Sequence, residues 1–310
     1  MHSGHPRGVS ANEIAEIISI DVMSSSVAIG EQSIDSVMTL KRGVLVRWLY
    51  ANLHAGRGAA EYSQLGAHHP DLENNATHGF EDAIISVPRV EWPRYGAEYS
   101  ALGGVRVVDR GQNGFIQVPR LRPRLSPGFV FFMGRADMSE SDPRAAEKGI
   151  RIYIASNDEH YTITVWRALV DNLLRSPLDA SLKVVNDSRS HPRSDAIVIY
   201  CDRDCQQVTE LVVDVVAQNP DSPSMSGETS LLTRRLWENV AAADQPFQST
   251  LRKVSFGEDR CNAIAEAIQD RLLTGVDFLE LLKFRLDAYH IDKNDLSRTL
   301  THPNDKINDR

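Results

Sequence analysis

Apolar residues recur along this chain with two different periods, and the character changes near Trp92. Ser10 followed by Glu13 fits a capping box, and Ile14, Ile17 and Ile18 behind it have the spacing of a short amphipathic helix starting near residue 11. From Asp35 to His54 the set Val37, Met38, Leu40, Val44, Leu45, Trp48, Leu49 and Leu53 keeps helical period, and Gly56 and Gly58 stop it. The first ~55 residues therefore read as helical. Between Ala55 and Gly79 the chain is rich in Gly, His, Asn and Ala with little periodicity, which predicts a long surface loop. Beyond Trp92, Val105 to Val108 and Phe115 to Val118 flank a glycine-bearing stretch, Asp109 to Gly114, and predict a β-hairpin. Phe129 to Met133, behind Pro127-Gly128, has the run length of a buried strand.

In Ile150 to Ala155, Ile150, Ile152 and Ile154 alternate with Arg151, Tyr153 and Ala155. At a period of two the triplets face opposite sides of a sheet, so one face reads as core while the other offers Arg151 beside Tyr153. Val165 to Leu174 carries apolar residues at i, i+3, i+4 and predicts a helix packed on that sheet. Leu182 to Val185 and Ala196 to Tyr200 predict strands, Val208 to Val216 another amphipathic helix, and Asn219 to Thr229 a loop. Cys261 to Leu273 and Val276 to Leu286 close the chain as helices. The expected fold class is α+β, a helical N-terminal part packed on a mixed, mostly antiparallel sheet flanked by helices. Its expected divisions are a helical region 1–90, an α+β domain 91–290 and a polar tail 291–310.

Composition narrows the chemistry. The 310 residues are 42% apolar and 25% charged, the balance of a soluble globular protein. With 34 Lys plus Arg against 42 Asp plus Glu the net charge is −8, which argues against nonspecific nucleic-acid binding and makes any anion site local. No run approaches the ~18 apolar residues of a membrane span, and Met1 to Ser10 lacks the apolar stretch of a signal peptide, so a cytoplasmic location without membrane attachment is expected. Three cysteines, Cys201, Cys205 and Cys261, do not make a disulfide framework or a finger-like metal site.

No P-loop, GxGxxG after a strand, HExxH or GxSxG is present. What stands out is cationic: Arg151, Lys183, Arg189, Arg193, Lys253 and Arg260 lie on the strands of the second half and at their ends. Arginine presents a planar fork matched to phosphate, and lysine is a point charge that also serves as a base. Taken singly each has an ordinary role, such as an edge-strand charge or a stem lying along the sheet. His191 is most simply a loop histidine and Asp195 a turn cap. The interval Arg106, Arg110, Arg120, Arg122 and Arg124 reads equally as an anion or peptide ridge and as a solvated hairpin.

Four segments together resemble a known family: Gly149-Ile150-Arg151-Ile152-Tyr153, Leu182-Lys183-Val184, His191-Pro192-Arg193-Ser194-Asp195-Ala196-Ile197-Val198-Ile199-Tyr200, and Val254-Ser255-Phe256-Gly257-Glu258-Asp259-Arg260. With Leu49-Tyr50 and His54-Ala55-Gly56 before them, their order and spacing resemble the HopA-type effector family over most of residues 10–275. That family includes a type III secreted effector of plant-pathogenic bacteria and actinobacterial relatives from ribosomal-peptide clusters.

The resemblance to the actinobacterial relatives implies a lyase of class V lanthipeptide or thioamitide biosynthesis. Such a lyase eliminates phosphate from phosphoserine or phosphothreonine of a precursor peptide, after a separate kinase-like phosphotransferase has added it, leaving dehydroalanine or dehydrobutyrine. The strands are also similar, more remotely, to the phosphothreonine lyases of animal pathogens. Their Lys-x-His strand falls on Arg151-x-Tyr153, their base lysine on Lys183 and a phosphate arginine on Arg193. The implied roles are Lys183 as base, Arg151, Arg193, Arg260 and Lys253 on the phosphate, and Tyr153 or His191 as acid, with no metal or organic cofactor required. The other class open to this cation set is a phosphopeptide-binding module or effector-like scaffold partnering a kinase, without turnover.

Overall fold

The computed structural model describes residues 7–56, 70–80, 83–88, 115–126, 128–134, 149–219, 227–247 and 254–300. Helix α1 (Ala11–Ile17) opens as its sequence predicts: the Ser10 hydroxyl accepts from the Glu13 N–H, and the Glu13 carboxylate accepts from the Ser10 N–H at 2.7 Å. The chain then departs from the helical expectation. Ile18, Ile20 and Val27 alternate with polar residues, and β1 (Ile18–Asp21), β2 (Ser26–Ile29) and β3 (Gln32–Ile34) form an antiparallel meander. Period-two spacing in strands this short is easily mistaken for the tail of a helix. Helix α2 (Arg42–Tyr50) runs into one turn of π-helix, Ala51–Ala55. It stops at Gly56, whose φ of +88° is costly for any residue with a Cβ.

Within the expected loop 55–79, Pro70–Thr77 is helical (α3) and buries Leu72 and Ala76. The strand β5 (Phe115–Pro119) pairs with β4 (Ile84–Pro88), while Val105 to Val108, its expected hairpin mate, lies outside the described residues. The centre of the molecule is a seven-stranded antiparallel sheet. In space it runs β11 (Arg234–Arg235), β12 (Val240–Asp244), β8 (Ile150–Ser156), β10 (Arg193–Cys201), β9 (Ser181–Val185), β7 (Phe129–Phe132) and β6 (Leu121–Ser126).

Helices cover both faces of that sheet, as an α+β chain with flanking helices requires. Ile152, Ile154, Leu182, Val184, Ile197 and Ile199 point to one face and pack under α3, α4 (Glu159–Arg175) and α5 (Cys205–Gln218), where the Trp166 indole N–H donates to the Ala76 carbonyl at 3.0 Å. Tyr153, Val198 and Ala243 point to the other face, into a second core shared with α1, α2, α6 (Phe256–Thr274) and α7 (Phe278–Ala288). The sequence reading treated the Arg151/Tyr153 face as open; both residues are instead buried beneath this second layer. Each large aliphatic side chain taken fully out of water contributes about 1.5–3 kcal/mol, so the two layers together hold the sheet. No helix among the described residues is long and apolar enough to cross a membrane.

Residues 291–300 are packed rather than trailing as a polar tail, with Ile291 and Leu296 fully buried. Arg260 pins them. Its guanidinium donates to the Leu296 carbonyl (3.0 Å), the Arg298 carbonyl (3.0 Å), Thr299 Oγ1 (2.8 Å) and Asp259 (2.7 Å), and lies 4.4 Å from the centre of the Phe256 ring. Replacing Arg260 by Met would remove the buried ion pair with Asp259 together with the hydrogen bonds to Leu296, Arg298 and Thr299, and should lower stability by about 3 kcal/mol in urea unfolding. A loss below about 1 kcal/mol would show that the C-terminal segment is held by other contacts.

Candidate functional site

The antiparallel register lines up the site. Tyr153 on β8, Val198 on β10, Lys183 on β9 and Phe131 on β7 are cross-strand neighbours in one row, and Arg151 faces Tyr200 in the next. All six side chains emerge on the face covered by α2 and α6. The register of β10 shifts between Arg193 and Ile197, an irregularity of the kind that re-aims side chains next to functional sites.

Three cations meet there through two aromatic rings. The Arg151 guanidinium lies 5.2 Å and the Lys183 Nζ 6.0 Å from the centre of the Tyr200 ring. Lys183 Nζ lies 4.1 Å from the centre of the Phe129 ring, against which Arg193 also packs at 5.1 Å. Arg151 Nε donates to Gln245 Oε1 at 2.7 Å. Arg193 is held by the buried Asp195 carboxylate, at 2.5 Å from Nε and 3.2 Å from Nη2. Lys183 is half-buried and has no carboxylate partner among the described residues. Asp195 is thus the carboxylate bonded into a group of three cations.

Behind the cations lies a neutral floor. The Tyr50 hydroxyl donates to Asp195 at 3.1 Å, and His54, one helical turn later, stands edge-on to the rings of Tyr50 (5.1 Å) and Tyr153 (5.3 Å). Gly257 in the first turn of α6 makes this approach possible, because a Cβ there would lie 2.3 Å from the His54 ring and 2.6 Å from Tyr50. Hydrogen bonding anchors the imidazole. The Ser230 hydroxyl, which accepts the Leu232 N–H (3.2 Å), lies 2.9 Å from His54 Nδ1 and 3.2 Å from the Leu53 carbonyl oxygen, and so ties the ring to the end of the π-turn.

The titratable groups divide in a consistent way. Burial pushes His54 down to about 4, with the nearby Arg193, Lys183 and Arg151 acting in the same direction against Asp195. Burial raises the Tyr153 phenol, and burial followed by the Asp195 charge raises Tyr50 well above its ordinary value. Burial, the largest single influence, raises Asp195, but the charge and hydrogen bonding of Arg193 together with His54 and Lys183 outweigh it and hold the carboxyl below its usual range. At neutral pH the site is an ionised carboxylate, protonated phenols and a neutral imidazole beneath two guanidinium groups and the Lys183 side chain. Among the described residues no group of three or more His, Cys, Asp or Glu side chains is gathered around a position where a metal ion could bind.

A profile of the HopA1 effector protein family matches residues 120–298, more than half of the chain and the whole of the strand set that carries these cations. The chain belongs to the HopA1 effector protein family. Two solved structures of the same kind are similar to it, each at 15% identity: the effector protein from Pseudomonas syringae pv. tomato strain DC3000, with a TM-score of 0.48 over 84% of this chain and 96% of that one, and the effector protein from Pseudomonas syringae pv. syringae strain 61, with a TM-score of 0.47 over 75% and 80%. No curated protein sequence matches the chain.

In this HopA1-family site the fold brings together Arg151, Tyr153, Lys183 and Arg193 of the residues singled out in the sequence. It places Arg260 elsewhere, in the C-terminal closure. His191 is engaged by Thr162 Oγ1 at 2.9 Å and the Ser188 carbonyl at 3.2 Å, against the start of α4. Lys253 lies outside the described residues. Arg120 and Arg122 are buried and donate to backbone carbonyls, not arrayed on a solvated ridge. Tyr50, His54 and Asp195 are the members that spacing alone does not reveal. The available signal was a tyrosine and a histidine four residues apart at the end of an apolar helix, and an aspartate two residues after an arginine.

The buried imidazole has a measurable signature. Unfolded, a histidine takes up a proton below its ordinary value of 6.5; here it does so only near 4, so stability should fall as pH drops between those values, by up to roughly 3 kcal/mol. The loss through Asp195 comes at lower pH, as its depressed carboxyl protonates. Urea unfolding at pH 7 and 4.5 should show the slope in the parent and a flatter one in His54→Phe. Equal slopes would contradict the buried neutral assignment.

Proposed function

We propose that this HopA1-family protein is a lyase that eliminates phosphate from phosphoserine or phosphothreonine of a ribosomally made precursor peptide, leaving dehydroalanine or dehydrobutyrine. The observation that supports this reading best is Lys183, without a carboxylate partner among the described residues, sharing the Tyr200 ring with Arg151 and the Phe129 ring with Arg193 on the face that carries Tyr153. Elimination needs a base at the α-carbon, positive charge at the departing phosphate and a proton for the bridging oxygen. The arrangement offers one candidate group for each.

In this reading Lys183 acts from its neutral amine form: it takes the α-proton and becomes the ammonium, the electron pair left behind forms the Cα=Cβ double bond, and the Cβ–O bond breaks. Arg151 and Arg193 neutralise the charge that builds on the phosphate oxygens in the transition state. Tyr153 gives its proton to the bridging oxygen. Its elevated phenol keeps that proton available at neutral pH. Asp195 positions Arg193 by gripping its guanidinium from the side facing Tyr50. Product release gives inorganic phosphate and the dehydro residue, so atoms balance without a further reactant. A kinase-like phosphotransferase acting in the cytoplasm supplies the phosphorylated peptide.

The test separates turnover from binding. With a phosphothreonine peptide, Lys183→Met should cut the rate of phosphate release by roughly 10²–10⁴-fold. Its peptide affinity should stay within a few-fold of the parent. Arg193→Ala should raise both the dissociation constant and KM. If neither protein releases phosphate while Arg193→Ala abolishes peptide binding, the site is a phosphopeptide reader and the lyase reading is wrong.

A further inference from the structure

A cleft of about 670 Å³, within the range of roughly 300–1,000 Å³ typical of ligand sites, runs beside the cation group. Its lining includes the β2–β3 turn around Gly30 and Glu31, Pro192–Ser194 and Glu228–Leu231, with the Ser194 hydroxyl donating to the Glu228 carbonyl at 2.7 Å. Arg193 of the cation group and His54 of the neutral floor also line it, so cleft and site are continuous. The charges along it differ in sign. Arg193 belongs to both cleft and cation group, whereas Glu31 and Glu228 are exposed in the lining, and among the described residues neither is in an ion pair. Gln32, also lining the cleft, begins β3, which among the described residues pairs on one side only. An open strand edge of this kind accepts an extended peptide through main-chain hydrogen bonds.

We propose that this cleft binds the extended stretch of substrate adjoining the phosphorylated residue, and that Glu31 and Glu228 select a Lys or Arg within it. This rests on the phosphopeptide reading above and adds a sequence preference to it. The phosphate end is attracted by Arg151, Lys183 and Arg193, and the flank by the carboxylates, so the two ends of the peptide are distinguished by charge.

Two phosphothreonine peptides, identical except for Lys or Glu in that flank, test the assignment by anisotropy and by kcat/KM for phosphate release. The basic peptide should be preferred about tenfold, the scale that two exposed ion pairs supply, with the preference shrinking as salt rises. The double variant Glu31→Lys, Glu228→Lys should reverse the order, and Glu31→Gln, Glu228→Gln should erase it. Equal treatment of the two peptides by the parent, or a preference that survives charge reversal, overturns the cleft assignment while leaving elimination standing. A binding preference without phosphate release supports the cleft and overturns elimination.

Discussion

Holding three cations on one face of a sheet with one bonded carboxylate among them is the constraint around which this molecule is arranged. Like charges repel by an amount that grows as water is excluded, and the second helical layer excludes water from Arg151 and Arg193. Three devices make the arrangement tolerable. Asp195 grips Arg193, Gln245 holds Arg151, and the rings of Tyr200 and Phe129 separate the cations from one another while offering each an electron-rich face. What remains is a surplus of positive charge beside a cleft. An arriving dianion would relieve that surplus, and this electrostatic logic is why the proposed substrate is a phosphate ester and not a neutral one.

The floor beneath the cations is neutral for the same reason. Burial keeps His54 unprotonated and Tyr153 and Tyr50 protonated, so these groups add no charge of their own. Arg151 and Tyr153 suit the proposed elimination together: a guanidinium stays charged at any working pH and meets phosphate through a planar fork, and a buried phenol retains a proton that an imidazole in this setting would lose.

Much of the fold was legible from sequence where its signals are local. Alternation in Ile150 to Ala155, the i, i+3, i+4 spacing of Val165 to Leu174 and the glycine stop at Gly56 each express a rule confined to a few residues. The α+β class and the convergence of Arg151, Lys183 and Arg193 followed from those strands. What escaped was long-range or short-period. The β1–β3 meander carries too few alternating positions to outweigh the helical pattern around it, and the second buried face of β8 depends on helices a hundred residues away. Tyr50 meets Asp195 across 145 positions and His54 meets Ser230 across 176, contacts that no local pattern encodes. Arg260 misled because a cation at a helix start has the same sequence signature whether it binds an anion or ties down a chain terminus.

The central claim is that the charged face breaks a carbon–oxygen bond rather than hydrolysing or merely holding a phosphate. Intact mass of a phosphothreonine precursor peptide after incubation with the protein tests it most directly. The account predicts loss of about 98 Da, the whole of phosphoric acid, with an unsaturated residue left in the peptide. Loss of about 80 Da, restoring the hydroxyl, would identify a phosphatase and contradict it.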